Sequence, residues 1–221
     1  MRQETFHGGV VTPVPLSATE EPPRTAEATR SPPLCVDLDG TLVSTDLLIE
    51  SFLLLIKSNP LYLFRVPLWL LQGKAVLKAE IAARVTLQPE ILPYDREIIQ
   101  WIESERTLGR SVWLCTGSNE ILASRVATHL NLFEGVLASS RHVNLTGEAK
   151  AAELVQRFQK GGFDYCANSH VDIAIWKHAR GAIVVRGGRR LERTVERHVP
   201  ILRTFSGRPK TRVAGSSGDR V

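Results

Sequence analysis

The most constraining feature of the sequence is a short acidic run that directly follows an apolar segment. Residues 37–43 read DLDGTLV and come immediately after residues 34–36, whose apolar character predicts a short buried strand. The run places Asp37 and Asp39 at the end of that strand and leads into a turn at Gly40. Two carboxylates so arranged suit phosphoryl transfer, because one can attack phosphorus and share a metal ion while the other exchanges a proton with the departing oxygen. An Asx-type turn that closes a buried strand is the competing interpretation.

Strand-like and helix-like segments alternate through the central part of the chain. Apolar strands are predicted at residues 34–36, 111–115, 135–138, 163–166 and 182–185. Helices are predicted at residues 119–130, 149–158 and 171–179. Such alternation is typical of a parallel, doubly wound sheet. We therefore predict an α/β fold with a Rossmann-like core, whose ligands lie beyond the carboxyl ends of the strands.

The composition divides the chain into a core, an insertion and two terminal segments. Residues 1–33 contain six of the twelve prolines and few apolar residues, which predicts a disordered leader. Residues 34–41 and 94–203 form the predicted core, and residues 204–221 a flexible basic tail. Residues 42–93 are strongly apolar, but charges and prolines break them below the length of a membrane span, so they predict a helical cap. Mutual packing explains most of this apolar character; a lipid-facing groove or interfacial helix is the second interpretation.

The positive charge is concentrated at the C-terminal end. The net charge is +5, and residues 186–221 hold ten basic and three acidic residues, a balance of +7, so residues 1–185 carry 5 − 7 = −2. A solvated helix with a disordered end explains this basicity, and attraction to an anionic membrane surface is the sharper hypothesis. Nucleic acid is not an expected partner, because neither interleaved aromatic and basic residues nor zinc-ligand spacing accompanies the basic segment.

Cysteine usage and the N-terminus bear on localisation. The three cysteines form no C-x-x-C pattern, which favours buried thiols in a reducing compartment over a disulfide scaffold. The N-terminus shows no basic-then-apolar signal pattern. We therefore predict a cytoplasmic protein, and the membrane hypothesis would place it peripherally at the inner membrane face.

Further polar residues follow later strands or open the helices after them. Thr116 and Gly117 follow the second strand, where a hydroxyl and a helix N-terminus can bind a phosphate oxygen. Lys150 is placed to neutralise a phosphoryl group in transfer. Asn168 and Asp172 follow the fourth strand and offer oxygen ligands to a hard cation. Each has an ordinary interpretation as an N-cap, a solvated lysine or a turn, but their order along the chain indicates a single site.

On these residues the chain resembles the haloacid-dehalogenase-like (HAD) hydrolase superfamily, whose members use an aspartyl-phosphate intermediate and Mg²⁺. The first motif of the superfamily corresponds to residues 37–41, the second to Thr116, the third to Lys150 and the fourth to residues 168–172. The fourth motif departs from the usual pattern, because superfamily phosphatases begin it with Gly-Asp where this chain has Ala-Asn at 167–168. An amide in that position keeps an oxygen ligand but removes one negative charge from the metal site.

The resemblance implies a Mg²⁺-dependent phosphatase that acts on phosphomonoesters. It implies that Asp37 is the nucleophile and Asp39 the general acid/base. The implied phosphate-binding residues are Thr116, Gly117 and Lys150. The implied ligands of Mg²⁺ are Asp37, Asp39 through its backbone carbonyl, Asn168 and Asp172.

A narrower resemblance is to HAD domains fused ahead of a UbiA-type polyprenyl transferase. It rests on residues 144–150 (NLTGEAK), on residues 163–169 (FDYCANS) and on residues 67–74 of the apolar insertion. It implies a substrate from polyprenyl-lipid or sugar-phosphate metabolism, and a membrane surface or a prenyltransferase as partner. We expect no prenyl transfer by the chain itself, because it has no apolar segment of spanning length. A catalytically weak or inactive HAD module that binds a phosphometabolite or such a partner is the alternative.

Overall fold

A six-stranded sheet forms the centre of the protein, whose computed structural model describes residues 31–206. The strands are β1 (Leu34–Val36), β2 (Val112–Asn119), β3 (Gly135–Ser139), β4 (Asp164–Ala167), β5 (Gly181–Val185) and β6 (Ile201–Phe205). Their order is β3-β2-β1-β4-β5-β6, and every neighbouring pair is parallel. The chain leaves β1 toward one edge and returns as β4 on its other side, so the strand order reverses beside β1. The predicted doubly wound α/β fold is confirmed.

Helices cover both faces of the sheet. The α-helices are α1 (Leu47–Ser58), α2 (Val66–Leu71), α3 (Lys74–Ala82), α4 (Arg96–Thr107), α5 (Glu120–Leu130), α6 (Glu148–Phe158), α7 (Ile173–Trp176) and α8 (Gly188–Glu196). Three short 3₁₀ helices lie at Pro60–Phe64, Pro89–Ile91 and His170–Asp172. Helices α4 and α5 pack against one face, and α6, α7 and α8 against the other. Each face has its own buried core, which explains why the strands are apolar on both sides.

The insertion between β1 and α4 is helical, and both of its ends meet at one place on the core. It contains α1, α2, α3 and two of the 3₁₀ helices. Its two ends lie side by side, because Val43 pairs with Tyr94 in an antiparallel bridge. The Ser44 amide donates to the Pro93 carbonyl at 3.0 Å and the Asp95 amide to the Leu42 carbonyl at 2.9 Å. Within residues 31–206, none of the helices has both the length and the apolar character needed to cross a bilayer.

Residues just outside the predicted core of residues 34–203 contact it at both ends. At the start, the carbonyl of Pro32 accepts a hydrogen bond from Arg110 Nε at 2.8 Å, and that of Pro33 accepts one from the Asp164 amide at 3.0 Å. At the end, β6 continues past residue 203 to Phe205, which is buried against Trp101. The remainder of the predicted leader, residues 1–30, and of the predicted tail, residues 207–221, lies outside the described residues.

Two predicted helices begin or end differently in the structure. The helix predicted at residues 119–130 starts at Glu120, because β2 continues to Asn119, whose side chain caps α5 by accepting from the Ile121 amide at 3.0 Å. The helix predicted at residues 171–179 is a 3₁₀ turn followed by the single turn of α7. The three cysteines are free and buried, as predicted.

Candidate active site

The site is a cavity at the carboxyl ends of β1, β2 and β4. It has a volume of about 270 Å³ and lies where the strand order reverses, which is the usual ligand position in such sheets. Six of the seven predicted site residues line it: Asp37, Asp39, Gly117, Lys150, Asn168 and Asp172. The fold therefore brings together side chains that are more than a hundred residues apart in sequence.

The loop that carries the two aspartates is held by backbone contacts. The Asp37 amide donates to the Cys166 carbonyl on β4 at 2.9 Å. Gly40 has a φ of 72°, and a Cβ there would collide with the Asn168 side chain, so both the conformation and the space require glycine. Arg186 pairs with Asp95 and donates to the carbonyls of Gly40 and Thr41 at 2.6 and 2.9 Å.

Asp37 lies next to the buried lysine. Lys150 Nζ donates to Asp37 Oδ1 at 2.8 Å, and the Thr41 hydroxyl lies 3.4 Å from Asp37 Oδ2. The Lys150 ammonium holds one oxygen of the Asp37 carboxylate. The carboxylate therefore keeps a defined orientation at the wall of the cavity. This is the geometry expected of a positioned nucleophile.

Asp39 is hydrogen-bonded at both oxygens. Its Oδ1 accepts from the Leu47 amide at 2.7 Å, and its Oδ2 accepts from the Ser118 hydroxyl at 2.6 Å and from the Thr116 hydroxyl at 3.3 Å. Burial, and next the charge of Asp37, raise the pKa of Asp39 to about 6. A carboxyl that titrates near neutrality can both give and take a proton, which suits a general acid/base.

Tyr165 joins Lys150 to Asp172 and was not predicted as a site residue. Lys150 Nζ donates to the phenol oxygen at 2.8 Å, and the phenol donates to Asp172 Oδ1 at 3.1 Å. Burial, followed by the charges of Asp172 and Asp37, raises the pKa of Tyr165 well above its usual value, so the phenol keeps its proton. Burial alone would lower the pKa of Lys150, but the carboxylates of Asp37 and Asp172 raise it, so the ammonium stays charged.

The hydroxyl at the cavity wall belongs to Ser118, whereas the sequence predicts Thr116 as the phosphate-binding hydroxyl. Thr116 is fully buried and does not line the cavity; its hydroxyl accepts from the Ser118 amide at 3.0 Å. It also does not open a helix, because β2 continues for three more residues. Ser118 lies two residues further along the strand and therefore on the same side, a relation that strand periodicity could have indicated.

Lys78 reaches the cavity from α3 and was likewise missed. Its Nζ donates to the Gly117 carbonyl at 2.6 Å and to Asn144 Oδ1 at 2.7 Å. Burial lowers the pKa of Lys78, and the nearby carboxylates of Asp39 and Asp46 partly offset this effect. Lys150 forms an ion pair with a carboxylate, whereas Lys78 donates its hydrogen bonds to two neutral oxygens. Within residues 31–206 the Lys78 ammonium therefore has no carboxylate in direct contact and can pair with an anionic ligand.

The oxygen donors in the cavity fit a hard divalent cation. Asp37, Asn168 and Asp172 all line it, and oxygen ligands of this kind are those that Mg²⁺ prefers. Burial and then the charge of Asp37 raise the pKa of Asp172 to about 6, and a cation between the two carboxylates would relieve that repulsion. Residues 31–206 contain no cluster of three or more carboxylate, histidine or cysteine side chains for a metal, so the set depends on neutral oxygens such as the Asn168 amide.

Comparison with known sequences gives one uncharacterized relative. No protein-family model matches the chain. The chain is 33% identical over 178 residues to the uncharacterized protein y4nM of Sinorhizobium fredii. The matched region covers 80% of this chain and 34% of that protein, so the chain spans about one third of the relative's length.

Comparison with solved structures identifies the fold. An HAD family hydrolase, t0658 of Salmonella enterica serovar Typhi, superposes with a TM-score of 0.54 at 11% identity, covering 77% of this chain and 68% of the hydrolase. A phosphoserine phosphatase solved as an analogue of its phospho-aspartyl intermediate superposes with a TM-score of 0.54 at 13% identity, covering 80% of this chain and 94% of the phosphatase. At these identities the likeness concerns architecture, and the chain has the fold of the HAD hydrolases.

Proposed function

We propose that the protein is a Mg²⁺-dependent phosphomonoesterase that works through an aspartyl-phosphate at Asp37. The observation that carries the proposal is the placement of Asp37, Asp39 and Lys150 around one cavity, with Lys150 Nζ 2.8 Å from Asp37. The shared fold supports it, since a phosphoserine phosphatase with this architecture has been solved as an analogue of a phospho-aspartyl intermediate.

The reaction proceeds in two steps, and both aspartates take part in each of them. A carboxylate oxygen of Asp37 bonds to phosphorus while the ester P–O bond breaks, and Asp39 gives its proton to the departing alkoxide. A water molecule then attacks the phosphorus held by Asp37, and Asp39 takes a proton from that water. Inorganic phosphate and the free Asp37 carboxylate are released, and Asp39 is protonated again for the next cycle.

The positive side chains stabilise charge on the transferring group. Lys150 faces Asp37, so it can stabilise both the nucleophile and an equatorial phosphoryl oxygen. Ser118 offers a hydroxyl from the strand end beside Asp39. Asp37, the Asp39 backbone carbonyl, Asn168 and Asp172 would hold Mg²⁺, which when bound neutralises charge on the phosphoryl oxygens.

Phosphate release tests this proposal directly. We expect the protein to release phosphate from p-nitrophenyl phosphate and from members of a metabolite panel, to lose that activity with EDTA and to regain it with Mg²⁺. Asn168→Asp adds a third carboxylate beside Asp37 and Asp172, so we expect it to lower the Mg²⁺ concentration for half-maximal activity by roughly tenfold.

Magnesium titrations followed by both activity and thermal unfolding measure this effect. Glu153→Gln, a change of a carboxyl group to an amide on α6 away from the cavity, is the control. Activity that persists in EDTA, or an Asn168→Asp variant with unchanged Mg²⁺ dependence in both measurements, would contradict the metal assignment.

Lys78 is expected to bind an anionic group of the substrate. Because Lys78 is held by neutral oxygens at the cavity wall, Lys78→Gln should raise KM roughly tenfold and change kcat little. Steady-state kinetics on the best substrate of the panel measures this split. Lys74→Gln, on the same helix but exposed, is the matched control. A loss confined to kcat would place Lys78 in the chemical step instead.

We propose further that the substrate belongs to polyprenyl-lipid or sugar-phosphate metabolism. The apolar cap beside the cavity and the resemblance to prenyltransferase-fused HAD domains support this class. Assays with prenyl phosphates, sugar phosphates and small soluble phosphates side by side test it. A clear preference for the small soluble compounds would exclude a polyprenyl-linked substrate.

A non-catalytic phosphate-binding module is the second candidate function. It is favoured by Asn168, which leaves the metal set with two carboxylate side chains. Such a module would bind phosphometabolites without releasing phosphate from any of them. Turnover therefore separates the two candidates, whereas binding of a phosphate mimic does not.

A further inference from the structure

The outer surface of the cap exposes a cluster of large apolar side chains. Within residues 31–206, nine of the fifteen exposed large apolar side chains lie between positions 49 and 71. Six of them form what we call the cap patch: Leu61, Leu63, Phe64, Leu68, Leu70 and Leu71. Exposed apolar side chains are normal when scattered singly, but such a concentration marks a surface that contacts a protein, a membrane or a ligand.

The patch is what remains exposed after the cap has packed. Helix α1 turns Leu47, Ser51 and Leu55 inward at a spacing of four residues. The opposite side of α1 presents Ile49, Leu53 and Lys57 to solvent. In α2 only Trp69 is buried, and the 3₁₀ helix between α1 and α2 buries no residue. The 3₁₀ helix contacts both α1 and α2, so the exposed apolar side chains of the three elements follow one another along one part of the cap.

The charged residues of the segment that carries the patch are all basic. Residues 51–79 contain no aspartate or glutamate, and their four charged side chains are Lys57, Arg65, Lys74 and Lys78. Lys78 points into the cavity, and the other three are exposed. An apolar surface whose own segment carries exposed basic side chains and no acidic ones complements anionic lipid headgroups above an acyl layer.

We propose that the cap patch docks on an anionic lipid bilayer. In the docked state Phe64, Leu68 and Leu71 enter the boundary between headgroups and acyl chains, and Lys57, Arg65 and Lys74 meet the lipid phosphates. The proposal does not depend on the phosphatase assignment, because it rests on residues outside the cavity. A second copy of the chain is the competing occupant, and repulsion between the exposed basic side chains of the two copies disfavours it.

Vesicle co-sedimentation of the full chain tests the proposal. We expect binding to vesicles of phosphatidylcholine mixed with phosphatidylglycerol, and weaker binding to phosphatidylcholine alone. Phe64→Ser combined with Leu71→Ser removes side chains that are 78% and 85% exposed and should lower the partition coefficient at least roughly tenfold. The matched control combines Ile91→Ser with Leu108→Ser, whose side chains are 76% and 82% exposed elsewhere, and should bind like the wild type.

Charge variants and light scattering complete the test. Replacing Lys57, Arg65 and Lys74 by Gln should abolish the preference for the anionic vesicles. Phosphate release from soluble p-nitrophenyl phosphate should be unchanged in all of these variants. Failure of the wild type to bind either vesicle, or equal losses in the patch and control variants, would overturn the proposal. A dimer seen by light scattering that the patch variant dissociates would also overturn it in favour of self-association.

Discussion

Asp37→Asn is expected to reduce phosphate release to background, a loss of about six orders of magnitude in kcat. The amide cannot form the bond to phosphorus, and positioning by Lys150 cannot replace that bond. The substitution is nearly isosteric, and Lys150 keeps its contacts with Tyr165 and the Cys115 carbonyl, so the fold should persist. Purified wild type and variant are compared in phosphate release, with thermal unfolding as the check on folding.

Asp46→Asn is the matched control for this loss. Asp46 lines the same cavity, and its side chain caps α1 by accepting from the amides of Leu48 and Ile49 at 2.8 and 3.2 Å. Asparagine caps helices equally well, so the variant changes only a charge in the cavity. We expect it to retain activity within roughly tenfold of the wild type. Equal activity of Asp37→Asn and wild type would exclude an aspartyl-phosphate at Asp37.

Asp39→Asn is expected to show an effect that depends on the leaving group. For an alkyl phosphate kcat should fall by roughly 10²- to 10⁴-fold, because the alkoxide departs poorly without a proton. p-Nitrophenolate leaves without a proton, so transfer to Asp37 should continue, while the following attack by water lacks its base. Rapid mixing should therefore show a burst of nitrophenol equal to the enzyme concentration, followed by slow turnover.

Ser118→Ala tests the hydrogen bond to Asp39 separately from the Asp39 carboxyl group itself. It removes the hydroxyl that donates to Asp39 at 2.6 Å but keeps the acid itself. We expect a smaller loss that is similar for both kinds of substrate. An Asp39→Asn variant that loses activity equally on both substrates and shows no burst would remove Asp39 from the proton transfers.

The sequence predicts those site residues whose position follows from the sheet alone. Asp37, Asn168 and Asp172 follow strands, and the carboxyl ends of parallel strands meet at one edge. Tyr165 could not be found in this way. It lies inside β4, where all four residues are buried on both faces, so no alternation of polar and apolar residues reveals which side chain reaches the cavity.

Other features depend on packing that local sequence does not encode. Lys78 belongs to the cap, and nothing in its neighbourhood along the chain indicates which side of α3 meets the core. Strand β6 was missed because Arg203 and Thr204 give it a polar character, which an edge strand tolerates and a central strand does not. Both cases need the tertiary arrangement before the role of the residue is visible.

The insertion that carries the cap enters and leaves the core at one place. Its two ends are joined by the bridge between Val43 and Tyr94, and Arg186 ties Asp95 at this junction to the loop after Asp39. The length and sequence of the insertion can therefore change without altering the strand order that positions Asp37 and Lys150. The proposed substrate contact of Lys78 lies in this insertion, whereas the proposed chemistry at Asp37 lies in the core.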